Sequence, residues 1–532
     1  MRERGPGAAL LLLLAFLAGC AHAPPALSPQ LTRALAAAGP GHFVTGEVAG
    51  LSRPAVLDRS DFTYALAWAP GSARVAFSHL AAQDFRLSQW ALGEDRAPQR
   101  ARERSVGPVD FEVEGLAYAP DGRLLAAVGR DGQVHLYDAE SGEERSRALL
   151  DGPLVSVAFH PQGRALVVGS AAGQLTVLEV PGLAFVDEVQ GHADEVRGLD
   201  FAPDGTLYSG GWDGHLRSWE AQEGALEGAR ARLAFERAGG YLQVRGVLQG
   251  RVSLPFAVDL RAPALFVTAE AAGAAGLDVG ALAETRVLPT PLGSTQVRVA
   301  RGLGLRFKGL RLEGLEVVVC DACVPAGAQG VLGAPFAERV EMQVDEAARQ
   351  VQLALRGAPA QAPSRGLRLR ARGDVALEGP VNDLSVDARG ERLGVALSAT
   401  RAQRTVEVYQ RERAGLVEPP DARNAALLVE ARSGRVLQRW ARHAGVVSTA
   451  GISPDGRSVA SGGWDKRLFV FTEGAQAPRA EETFGFSVRQ VRFSPDGRRL
   501  GVAAWTPQTV TQESDPAAVL YDVAYRAPAL AQ

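Results

Sequence analysis

The sequence predicts an all-β chain: seven similar four-stranded sheets set round an axis, interrupted once by a separate β-rich domain. Three observations predict it. A short lead ending in Pro-Asp-Gly recurs along the chain, as YAPDG (Tyr118–Gly122), FAPDG (Phe201–Gly205) and FSPDG (Phe493–Gly497). Each lead is followed by alternating apolar strands and an Asp-Gly or Asp-Lys turn. The period fails between Trp219 and about Asp374 and then resumes.

The 532 residues would fill three or four domains at about 150 residues each, unless one large β fold takes most of them. At a net charge of -3 the chain is not basic enough to imply nucleic acid as a partner, and none is expected. With 60 glycines and 31 prolines, the chain favours many turns. Arg2 and Arg4 precede the apolar run Ala8–Leu17, which is too short to span a bilayer comfortably. Leu17-Ala18-Gly19-Cys20 follows, and these four residues resemble the bacterial lipoprotein box. The resemblance implies cleavage before Cys20, lipids on that cysteine, and a place in the cell envelope, facing the periplasm or exterior from the outer membrane; an ordinary cleaved signal is the alternative. Residues 1–20 are thus the signal, and 21–42 read as a tether with one short helix from Ser28-Pro29 to Gly39-Pro40.

The leads are seven: WAPGS (Trp68–Ser72), YAPDG, FHPQG (Phe159–Gly163), FAPDG, VDARG (Val386–Gly390), ISPDG (Ile452–Gly456) and FSPDG. One such sheet cannot bury both faces, so several must stack round an axis. The last repeat ends at its third strand near Tyr521, and Pro54–Asp61 is expected to supply the fourth and close the ring. SGGWDGHLRSW (Ser209–Trp219) and SGGWDKRLFVF (Ser461–Phe471) carry the strongest signal. These residues resemble the WD-repeat β-propeller family over about Phe43–Ala229 and Gly366–Pro528. The resemblance implies a buried hydrogen-bonded tetrad of His192, Ser209, Asp213 and Trp219 in the fourth blade. In the sixth it implies His443, Ser461 and Asp465, with Phe471 in the Trp position. A Ser–His–Asp hydrolase triad is the competing reading of the first three; Ser209 lies mid-strand rather than on an exposed elbow, which opposes it.

The propeller therefore takes residues 43–229 and 366–528, with residues 230–356 inserted in the loop between the third and fourth strands of blade four. In the insert, Pro255–Leu277 runs as an apolar strand, an acid in a tight turn (Asp259), and an Ala-rich helix capped by Thr268 and stopped by Gly276. Gly240-Tyr241 precedes it, and Gly330-Val331-Leu332-Gly333 follows. The order resembles bacterial retropepsin-like aspartic proteases and implies a retropepsin-like β-barrel with Asp259 as the catalytic carboxylate. The family's loop reads Asp-Thr/Ser-Gly; here Leu260 and Arg261 replace the hydroxyl and the glycine. The chemistry needs two carboxylates sharing one proton. A guanidinium beside Asp259 opposes that state, and one loop per chain would demand a homodimer. The readings are a retired protease, an active homodimeric endopeptidase, and a β-domain of fortuitous likeness.

Cys320-Asp-Ala-Cys323 lacks the further ligands zinc requires, so a local disulfide or free thiols are expected, with no metal and no cofactor. The functional expectation is a non-catalytic scaffold that binds protein or peptide partners, held to the membrane through Cys20. The enzyme alternative is an aspartic endopeptidase using Asp259 from each of two chains.

Overall fold

The computed structural model describes residues 42–531, apart from 53, 59–61, 82–83, 93–101, 108, 151, 226–229, 291–292, 309, 357–364, 402–420, 486 and 505–517. The expected lipoprotein signal with Cys20, and the expected tether as far as residue 41, lie outside the described residues.

Seven antiparallel sheets form the propeller. Their innermost strands are Phe62–Trp68, Val113–Tyr118, Leu154–Phe159, Val196–Phe201, Val381–Val386, Val447–Ile452 and Val488–Phe493. Each blade buries both faces against its neighbours. The apolar clusters show this: Val157 and Phe159 of the third blade pack with Ala126 and Val128 of the second. The Pro-Asp-Gly turns interlock in the same way. The turn glycines hold positive φ, and each faces the turn of the preceding blade. A methyl on Gly122 would sit 3.6 Å from Pro70 Cδ, and one on Gly390 would sit 3.3 Å from Pro203 Cδ. The motif therefore supplies both a tight reversal and the contact surface between blades.

The ring closes across the chain termini, but not mainly through the expected Pro54–Asp61. The third strand of blade seven, Ala518–Ala531, is 14 residues long and, besides Arg499–Ala504 of its own blade, takes two N-terminal partners. Phe43–Leu51 pairs with its far half, from Phe43↔Ala531 to Leu51↔Val523. Among the described residues of the expected stretch, Ala55–Asp58 pairs with Ala518–Leu520. Bulges at Gly46 and at Ala49 break the alternation of Phe43–Leu51, which hides a strand whose Val44 and Val48 are wholly buried.

In blade four the third and fourth strands, His215–Ala225 and Arg365–Ala376, pair from His215↔Ala376 to Ala225↔Arg365. This ribbon, of 11 and 12 residues, leads to a ten-stranded sheet, which starts at Arg230–Ala238 and ends in sequence at Gln350–Leu355. Pairing of Val247 and Leu248 with Arg306 and Leu305 closes six of its strands into a ring. The sheet has its own core, in which Phe256, Phe307 and Phe336 meet edge to face at centroid separations of 6.3 and 5.6 Å. It touches the propeller through one hairpin tip. Lys308 Nζ lies 2.5 Å from Glu188 Oε1, and Arg306 Nη2 donates to the Leu149 carbonyl at 2.6 Å.

Candidate functional site

In blade four, His192 sits on the loop entering the sheet, Ser209 on the second strand, Asp213 in the turn after it, and Trp219 on the third strand. The structure brings all four together. His192 Nδ1 is 2.9 Å from Asp213 Oδ1, and its Nε2 is 2.7 Å from Ser209 Oγ. Trp219 Nε1 donates to the same Oγ at 2.9 Å. This network sets the tautomer: His192 donates from Nδ1 to the carboxylate, and the serine hydroxyl donates to Nε2. Burial, the largest influence, pulls the His192 pKa below its ordinary value, although Asp213 draws it upward. Burial pushes the other way on Asp213, but hydrogen bonds from Arg217 and His192 outweigh it and hold the carboxyl far below the usual range. The serine accepts one bond and gives one while fully buried, so no lone pair is aimed at a substrate.

Blade six repeats the arrangement without its last member. His443 Nδ1 is 2.9 Å from Asp465 Oδ1 and its Nε2 is 2.9 Å from Ser461 Oγ. Phe471 stacks on Trp440 instead, with ring centroids 5.0 Å apart. Blade two holds a histidine that spacing missed. His135 lies on the third strand and is clamped between Asp131 (2.9 Å) and Glu144 (2.7 Å).

The axis carries a feature that the reading by strands overlooked. Every innermost strand skips one residue in its register with the second strand, and the skipped residues are Tyr64, Glu114, Val155, Arg197, Asn382, Ser448 and Arg489. A bulge leaves its extra residue unpaired and re-aims the side chain. All seven line one axial cavity of about 60 Å³, room for a water or two rather than a ligand. Charge blocks this mouth. Glu114, buried, takes Arg197 at 3.1 Å, Arg130 at 3.2 Å and Arg489 at 3.7 Å. Burial raises its pKa, yet the three guanidinium groups together drive it below the ordinary value. Further along the axis, Arg492 grips Asp383 with two bonds of 2.7 Å, and Thr449 Oγ1 donates to the same carboxylate at 2.7 Å. Asp200, half-buried, accepts the Val386 and Phe201 N–H groups, and its pKa is pushed up by desolvation to about 6.

Residues 184–220 and 434–472 match the family described as "WD domain, G-beta repeat", and residues 98–151 match the "Anaphase-promoting complex subunit 4 WD40 domain". The chain carries WD repeats folded as a seven-bladed propeller. Its likeness to curated proteins is local. It is 31% identical over 144 residues to Telomerase protein component 1 of Rattus norvegicus, which is 26% of this chain and 6% of that protein. It is 29% identical over 119 residues to Protein groucho of Drosophila melanogaster, 22% of this chain and 16% of that protein. It is 30% identical over 115 residues to WD repeat-containing protein SL1-17 of Schistosoma mansoni, 21% of this chain and 37% of that protein. The matches thus span a small part of the relatives' own length.

Beside the WD-repeat ring, Asp259 follows the strand Val252–Val258, which pairs in parallel with Gly330–Leu332. The Asp259 N–H donates to the Leu332 carbonyl at 3.2 Å. The Asp259 carboxylate accepts the Arg261 backbone N–H at 3.2 Å and lies 3.5 Å from Arg261 Nε. Among the described residues, no second carboxylate bonds with it. Arg261 is 92% exposed and Leu260 38% exposed, so both project from the loop. Gly333 is irreplaceable here, since a methyl on it would fall 2.1 Å from the Ala264 carbonyl oxygen. Cys320 and Cys323 are joined by a disulfide. Their turn carries Asp321, whose carboxylate accepts the Ala269 N–H at the start of the helix Ala269–Ala274, beside the Thr268 cap. Among the described residues, no group of three His, Cys, Asp or Glu could hold a metal, and no helix is long and apolar enough to cross a membrane.

Proposed function

We propose that the protein is a non-catalytic interaction scaffold of the cell envelope: a WD-repeat propeller that binds protein or peptide partners, tethered through a lipid on Cys20. The observation that carries the reading is the closed ring of seven WD-type blades whose axis is blocked by its own ion pairs. A blocked axis leaves the ends and rims of the ring for binding. WD-repeat relatives such as Protein groucho lend the propeller itself, not their partners.

The insert is read as a retropepsin-like domain that no longer cuts. The parallel crossing of the Asp259 strand with Gly330–Leu332 supports it, as does the helix that follows each. Leu260 cannot make the hydroxyl bond that grips two halves together, and Arg261 offers the carboxylate a cation. Two copies would also have to meet. The sheet's edge strand Val340–Asp345 resists that: antiparallel self-pairing about Gln343 would set Glu341 against Asp345.

The test is digestion of a peptide library at acid and neutral pH by the wild type and by Asp259→Asn, run beside cross-linking of the protein to envelope extracts. Expected are no cleavage from either form and cross-links on propeller residues. Cleavage by the wild type that the variant loses would overturn the reading.

A further inference from the structure

The two ends of the propeller differ in charge, and the chain enters at one of them. The strands of each blade alternate in direction. Turns after the first strand and turns after the third therefore lie at the same end, opposite the histidine clamps. That end carries Arg389, Arg457 and Arg498 in the first turns of blades five, six and seven, and Arg432 in the third turn of blade five. None of the four has an ion-pair partner among the described residues. Glu391 is the one exposed acid in these turns likewise unpaired among the described residues; Glu430 and Glu473 are held by Arg435 and Arg392, Asp387 is buried and accepts the Glu391 and Arg392 N–H groups, and Asp455 and Asp496 are buried beside the Ser453 and Ser494 hydroxyls that donate to them. The other half of the same end bears five exposed acids, Asp121, Glu140, Glu143, Glu179 and Asp204, against the exposed Arg123 and Arg164, so acids outnumber arginines there. The positive charge is thus a crescent and not a general property of the face.

The closing strand begins under this crescent. The Val44 N–H donates to the Asp496 carbonyl at 3.1 Å, the Gly46 N–H donates to Asp455 Oδ2 at 3.1 Å, and the Arg389 guanidinium lies 5.9 Å from the Phe43 ring centroid. From there the chain runs back to Cys20, a reach of about 75 Å at full extension.

We propose that the crescent of Arg389, Arg432, Arg457 and Arg498 is a docking surface for anionic phospholipid headgroups, which seats the propeller with its histidine-clamp end facing away from the membrane. Clustered cations attract an anionic leaflet additively and within a Debye length, so the surface acts only where the tether holds it close. The orientation rests on the reading of Cys20 as the anchor; the surface itself does not.

The two are separable by experiment. The first described strand is Phe43–Leu51, so a chain starting at Ala21 keeps every described sheet. Its co-sedimentation is measured with phosphatidylcholine vesicles, with and without phosphatidylglycerol, and compared with the variant Arg389→Gln/Arg432→Gln/Arg457→Gln/Arg498→Gln. A control variant, Arg442→Gln/Lys466→Gln, alters the opposite end. Expected is binding only to the anionic vesicles, weakened at least tenfold in the four-site variant and by raised salt, and unchanged in the control. Equal binding by the four-site variant and the parent, an equal loss in the control, or no preference for anionic vesicles would overturn the proposal. Circular dichroism of each variant confirms that the blades remain folded. Acyl labelling of Cys20 in cells tests the anchor independently.

Discussion

Ser209→Ala should cost about twice what Ser461→Ala costs, although both remove one buried hydroxyl from one type of blade. Ser209 Oγ serves two partners, His192 Nε2 at 2.7 Å and Trp219 Nε1 at 2.9 Å. Ser461 Oγ serves His443 Nε2 at 2.9 Å, while Phe471 stands where the indole would be. Both serines are fully buried, so water cannot replace either. A buried polar atom left without its partner costs about 1–3 kcal/mol. The first substitution strands two such atoms and the second one, giving about 4 and about 2 kcal/mol. The assay is native-state hydrogen exchange, read on peptides spanning the second and third strands of each blade. At about 1.4 kcal/mol per tenfold, protection should fall roughly a thousandfold in blade four and roughly thirtyfold in blade six. The cycle with Trp219→Phe sharpens the test, because Ser209→Ala in that background strands a single atom and should drop to the blade-six cost. Equal losses in the two blades, or a Ser209→Ala cost indifferent to Trp219, would refute the reasoning.

Acidity should reveal Asp200. Its folded pKa of about 6 lies above the ordinary 3.8, so the native state binds the proton more tightly, and stability falls as pH rises from about 4 through 6. The full effect is about 3 kcal/mol. Glu112, Glu195 and Asp387 are shifted upward too, by burial first. The contribution of Asp200 is therefore the difference between wild type and Asp200→Asn in urea midpoints across pH 4–7, and a pH-independent difference would contradict it. Arg492→Met leaves Asp383 as an uncompensated buried charge and should cost about 3–5 kcal/mol. Arg492→Met combined with Asp383→Leu should recover part of that loss by thermal unfolding; a double variant worse than the single would count against the pair.

Much of the propeller was legible because its signals are local. A Pro-Asp-Gly turn needs only four residues to fix a reversal, and the turn glycine meets the neighbouring blade's proline whatever the intervening sequence. The clamp in blade four was legible for the same reason, since His192, Ser209, Asp213 and Trp219 hold fixed offsets from that turn. The closing strand was harder. Phe43–Leu51 is bulged at Gly46 and Ala49, so its buried residues do not alternate, while Pro54–Asp61 alternates better and, among its described residues, pairs over Ala55–Asp58. His135 escaped because it works from the third strand, outside the offsets of the motif.

The axial ring shows how a site can be invisible to strand patterns and yet written in the sequence. Tyr64, Glu114, Val155, Arg197, Asn382, Ser448 and Arg489 share no chemistry, so no column of like residues draws attention to them. Each nevertheless stands six positions before the turn proline of its repeat, or before Ala388 in blade five. Alternation assigns these positions to a sheet face; the bulge takes them off the face and turns them to the axis. Freed from packing between blades, the column can vary without harm to the fold, and here it places an acid where three guanidinium groups converge. That acid exchanges an open channel for cross-bracing: Glu114 ties blade two to blades four and seven through Arg197 and Arg489, residues more than eighty positions away in the chain. A ring braced across its axis in this way offers partners its ends and not its bore, and the ends are where the chain keeps its unpaired arginines and its histidine clamps.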